Sequence, residues 1–161
     1  MRRLEPTTVT IGEATYYIFP FSAFYAANLS GEILALVSPI IASLLPLVSA
    51  DGQNAESILD QKIEDALPLI TSAFNSLSGD KVEALMKKLL ISQRNVSVEY
   101  EQDGVTQKER LTADLADELF CMDISSMYQL AWEVIKLNYG SFFAKAPTLS
   151  GKATEILKIR K

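Results

Sequence analysis

The side chains that could carry chemistry gather between residues 114 and 123, where Asp114, Asp117, Glu118 and Asp123 surround the single cysteine, Cys121. Carboxylates at this spacing could hold a hard cation, and a thiol beside them could act as a nucleophile or a soft ligand. The neighbouring residues argue against both. Acids in the first turns of a helix are ordinarily partners of its dipole. Cys121, set between Phe120 and Met122, reads as a small buried hydrophobe. The chain contains no histidine. It therefore lacks the usual general base near neutrality, any Ser-His or Cys-His dyad, and the commonest zinc ligand. Gly31 and Gly79 are isolated helix-start glycines and form no phosphate loop. No catalytic, cofactor-binding or metal residue is expected, and the chain reads as a partner-binding protein, not an enzyme.

Charge and length narrow the class further. The 161 residues carry 20 acidic and 15 basic side chains, a net charge of −5. Nucleic-acid binding would call for a basic stripe. One cysteine cannot make an internal disulfide, and the start, MRRLEPTTVT, lacks the apolar core of a secretory signal. A cytoplasmic protein is expected.

The acidic cluster needs a helix to hold it, and the sequence supplies one. Thr112 is placed to cap a helix over Ala113–Phe120. A second helix follows, in which Gln129, Glu133 and Lys136 recur at i, i+4 and i+7 as a narrow polar stripe. Met127, Tyr128, Leu130, Trp132, Val134, Ile135, Leu137 and Tyr139 cover the rest of its circumference. A helix so wrapped is buried on several sides, either as the central core helix around Trp132 or against a partner.

Upstream, residues 7–19 read as a hairpin turning at Gly12, and 95–111 as a second hairpin turning at Asp103-Gly104. A helix starts at Ser22 and is expected to be interrupted at Ser30-Gly31-Glu32. The uncharged run Ile33–Ala50 then reads as a kinked helix pair, bent at Pro39 and Pro46. An amphipathic pattern from Ala55 to Phe74 is expected to bend or break at Pro68. Ser78-Gly79-Asp80 opens a helix with Val82, Leu85, Met86 and Leu89 on one face. Beyond Gly140 the pattern decays. The expectation is an α+β fold, mainly α-helical, with a helical core and two small β-hairpins. Residues 1–143 would form the domain and 144–161 a flexible tail with at most a short helix near Ala153–Ile159.

Three segments carry a resemblance: IGEATYYIFPFSAFYAANLSGEI at 11–33, SGDKVEALMKKLLI at 78–91, and LADELFCMDISSMYQLAWEVIKLNYGSFF at 115–143. Together they resemble tail assembly chaperones of long-tailed bacteriophages and prophages. In two places the chain departs from that pattern: Met122 stands where a glycine is expected, and Gly140-Ser141 replaces a double glycine. The resemblance implies a non-enzymatic protein that binds and solubilises the tape-measure protein before the tail tube polymerises. Such a protein would act in the host cytoplasm and be absent from the mature virion. It further implies a longer form, made by a frameshift, that recruits the tail-tube protein.

Partner-binding residues are expected in the aromatic segment Phe19, Phe21, Phe24 and Tyr25, together with Ile40, Ile41 and Leu44 of the uncharged run. These are too many and too bulky for one hairpin to hide, although a homo-oligomer could bury them. Two other functions compete. The run 33–50 approaches the ~20 residues that span a bilayer, as in a small phage membrane (lysis) protein. A structural tail or head-completion subunit is the other.

Overall fold

The computed structural model describes residues 5–49 and 63–159, with side-chain surroundings for 5–39 and 67–143. Strands β1 (Thr7–Ile11) and β2 (Ala14–Ile18) are followed by helices α1 (Ala23–Ser49), α2 (Ile63–Asn75) and α3 (Gly79–Leu90). Strands β3 (Val96–Gln102) and β4 (Val105–Arg110) come next, then helices α4 (Ala113–Leu119) and α5 (Ile124–Ile159). The class is α+β, mainly helical, with two hairpins.

Both hairpins turn where left-handed residues permit it, at Gly12 (φ 61°) and at Asp103-Gly104 (φ 52° and 77°). They join into one antiparallel sheet in the order β1-β2-β3-β4, with Thr15 opposite Glu99 and Ile18 opposite Val96. This register sets both hairpin tips at the same end of the sheet. Strand alternation then divides the faces. Tyr16, Ile18, Val96 and Val98 are buried toward the helices. On the other face Tyr17 donates its hydroxyl to Glu99 (3.1 Å) and lies under the Lys108 ammonium, 3.7 Å from the ring centroid.

Helix α5 is the central element. It packs against α1, α2, α3 and β1, and Leu130, Ala131, Trp132, Val134, Ile135 and Tyr139 are all buried. Even its polar stripe is largely covered, since Glu133 and Lys136 pair at 2.9 Å with side chains only 16% and 22% exposed. Phe74 of α2 stacks on Tyr128 at 4.9 Å.

Four sequence expectations require correction. Helix α1 runs unbroken from Ala23 to Ser49 in place of a helix followed by a kinked pair. Ser30 bonds back to the Ala27 carbonyl (2.7 Å) within the helix, and buried Leu29 and Ile33 clamp the turn on either side of Gly31. Packing thus outweighs the local interruption. Of the bend or break expected at Pro68, the break does not occur, since Pro68 lies inside α2. Helix α5 continues through Gly140 to Ile159, because Tyr139 and Phe143, both buried with rings 6.4 Å apart, hold the turn across that glycine. Cys121 is exposed, not buried. Helix α4 closes at Phe120, and Met122 takes a left-handed conformation (φ 66°) that turns the corner outward into solvent. Residues 50–62, which include the start of the 55–74 pattern, lie outside the described residues.

Candidate partner-binding site

A groove of about 580 Å³ lies between α1, α2 and α3. Its origin is a matter of side-chain size. Ala35 on α1, Ala73 on α2 and Ala84 on α3 face the opening, and alanine at each wall leaves space that larger residues would fill. Leu36 and Leu85, both buried, form the floor with half-buried Leu69. The walls are charged only at the rim. There Lys88 pairs with Glu32 at 2.6 Å and ties α3 to α1, while Lys81 stands nearby. That pair is about half exposed, so it adds little stability, roughly 0–1 kcal/mol, and serves more to frame the opening.

The aromatic segment is divided by the fold. Phe21 is buried and meets Tyr25 edge-on, with centroids 5.0 Å apart. Tyr25 donates its hydroxyl to the Lys88 carbonyl at 2.7 Å, and burial pushes its pKa up. These two rings fasten the start of α1 to α3. Phe19 is half-buried, whereas Phe24 is 92% exposed. Ile40, Ile41 and Leu44 lie on the backbone of α1, just beyond the groove residue Pro39. Their side chains are outside the described residues. The structure thus brings Phe21 and Tyr25 into contact and leaves Phe24 in solvent on the exposed side of α1.

Sequence reasoning overlooked α2 and α3 as walls. An alanine on an amphipathic helix, such as Ala73 or Ala84, carries no signal of its own.

The acidic cluster has structural work. Thr112 accepts the Leu115 amide at 3.2 Å and caps α4, with Asp114 in its first turn. Asp123 opens α5, accepting from the Ser125 hydroxyl (2.8 Å) and from the hydroxyl and amide of Ser126. The Ser126 hydroxyl, then that of Ser125 and the Ser126 amide, hold the Asp123 carboxyl below its usual range. Among the described residues, no group of three or more His, Cys, Asp or Glu could hold a metal ion.

An open apolar groove on a helical α+β domain has the shape to take apolar surface from another chain. The family described as phage tail assembly chaperone protein, TAC, matches residues 12–151, and the chain belongs to that family. The match extends past residue 143, where the sequence resemblance stopped. No curated protein matches the chain, and no solved structure does. Among the described residues no helix is long and apolar enough to cross a membrane.

Proposed function

We propose that this tail assembly chaperone binds the tape-measure protein and keeps it soluble until the tail tube forms around it, with a client helix seated in the groove between α1, α2 and α3. The groove itself carries the reading. Leu36, Leu69 and Leu85 offer an apolar floor to the apolar face of an amphipathic helix, and the charged rim keeps the loaded complex in water. Phe24, on the exposed side of α1, extends the contact surface, and Ile40, Ile41 and Leu44 continue it along the same helix. Phe19, Phe21 and Tyr25 form its base. Residues 1–143 do the binding, in the host cytoplasm, and the chaperone leaves before the virion matures. A homo-oligomer could cover a long client, and a frameshifted longer form brings in the tail-tube protein.

Co-expression with the tape-measure protein tests the groove. Ala35 and Ala84 are exposed wall residues, so Ala35→Glu and Ala84→Glu should leave the circular-dichroism spectrum and melting unchanged. A carboxylate that must be desolvated against the client's apolar face is costly, and soluble client should fall by about tenfold or more. Phe24→Asp should have a smaller effect in the same direction. Full client solubility with both groove variants would remove the groove from the site.

A further inference from the structure

A second cleft, of about 780 Å³, opens between the two hairpin tips and the corner where α4 passes to α5. It shares no residue with the helix groove. Four carboxylates line it, those of Glu13, Glu101, Asp103 and Asp123, and no lysine or arginine does. Such a lining could simply be solvated, so the cleft floor decides what the site is for. Tyr16 forms part of that floor and is only 2% exposed. Its hydroxyl has no hydrogen-bond partner among the described residues, yet it is not sealed away as Asn95 Oδ1 is. The ring cannot swing elsewhere, because it stacks on Phe120 at 6.1 Å with planes 14° apart. A buried phenol ordinarily finds a partner. Tyr16 lines the cleft, so a partner that enters the cleft can reach it.

We propose that this cleft receives an arginine side chain from a partner protein, with the Tyr16 oxygen accepting a guanidinium N–H and the surrounding carboxylates balancing its charge. Three features select this occupant. Every charged residue of the lining is acidic, so the guest is a cation. Among the described residues the carboxylates are not grouped to hold a metal ion, which favours an extended cation whose donors reach in several directions. The half-buried ring of Tyr100 supplies a flat wall, and its hydroxyl is already engaged with Glu109 at 2.6 Å. A planar guanidinium with five donors suits dispersed acceptors and aromatic walls better than a point-charge ammonium. Burial and the Asp123 charge push the Tyr16 pKa up to about 12. The phenol therefore stays neutral and accepts a hydrogen bond without becoming a fifth anion.

Titration of the isotope-labelled full chain with N-acetyl-arginine amide, followed by amide NMR, tests the assignment. Saturable shifts should appear at Gly12, Gly104 and Ser126. The neutral isostere N-acetyl-citrulline amide should bind at least about tenfold more weakly. Tyr16→Phe keeps the ring stack and removes only the acceptor, and should weaken the arginine probe about tenfold. As a control on folding, Glu13→Gln with Asp103→Asn changes two turn residues at the rim. Asparagine readily takes the left-handed conformation of position 103, and this pair should also weaken binding several-fold. The proposal is overturned if arginine and citrulline probes bind alike, if N-acetyl-lysine amide binds as tightly as arginine, or if neither variant changes the affinity. Co-expression with the tape-measure protein reads the helix groove separately, so failure of either site leaves the other standing.

Discussion

The backbone amide of Phe21 donates to the side-chain oxygen of Asn138, 2.8 Å away and 117 positions later in the chain. The same side chain donates from its nitrogen to the Val134 carbonyl at 2.8 Å, which fixes its orientation on α5. One amide group thus joins the segment between β2 and α1 to the central helix. Close by, the Tyr139 hydroxyl reaches the Ala26 carbonyl at 2.7 Å and repeats the link one turn into α1.

Asn138→Ala should therefore cost more than the loss of a surface amide. It leaves the Phe21 N–H without a partner in a half-buried place, a loss of about 1–3 kcal/mol. Chemical denaturation should show a lower midpoint with an unchanged slope. A midpoint equal to wild type would mean that water replaces Asn138 without cost.

Which parts of this architecture were legible in the sequence follows from how local their causes are. Gly12 and Asp103-Gly104 announce their turns because left-handed backbone is a property of single residues. Thr112 announces its cap, and the greasy circumference around Trp132 announces burial on several sides, in the same local way. The pairing of β2 with β3 has no such signature. Thr15 and Glu99 lie opposite each other across a long intervening sequence, and no side chain in either strand names the other. The continuity of α1 through Gly31 and of α5 through Gly140 was likewise hidden. Leu29, Ile33, Tyr139 and Phe143 override the weak local propensity only after the elements against which they pack are in place. The sequence presents the aromatic segment leading into α1 as a unit, yet burial of Phe21 and exposure of Phe24 depend on how that segment packs against the other helices. No spacing rule within residues 19–25 decides that.

Met122 offers a direct test of the corner between α4 and α5. It is fully exposed and left-handed, at the position where the resembling pattern has glycine. Left-handed backbone costs a residue with a Cβ roughly 1–2 kcal/mol. Glycine removes that strain, while its freer unfolded chain takes back about 0.4–1 kcal/mol. Met122→Gly should therefore stabilise the protein by roughly 0.5–1 kcal/mol, with a rise in Tm of about 1–4 °C. No packing is lost, because the side chain touches solvent only. A lower Tm would show that Met122 makes a contact in solution that offsets its backbone strain.

Alkaline unfolding should report on Tyr16 and Tyr139. Burial first, then the Asp123 charge for Tyr16 and Tyr25 for Tyr139, push both phenols up to about 12 from an ordinary value of 10.0. Below pH 10 both phenols are protonated whether the chain is folded or not, and their full contribution to stability is present. Between pH 10 and 12 the unfolded chain releases these protons and the folded chain retains them, so stability falls as pH rises, by on the order of 1.4 kcal/mol per pH unit for each group. Tyr16→Phe deletes one of these titrations without removing a hydrogen bond. Its unfolding free energy should match wild type at pH 7 and exceed it increasingly above pH 10. Tyr139→Phe also loses the bond to the Ala26 carbonyl, so its curve should start about 0.5–1.5 kcal/mol lower at pH 7, meet wild type as the pH climbs past 10, and lie above it by pH 12. Urea unfolding at pH 7, 10, 11 and 12 separates the two. Parallel curves for Tyr16→Phe and wild type across that range would show that its phenol ionises as freely in the folded protein as in the unfolded chain.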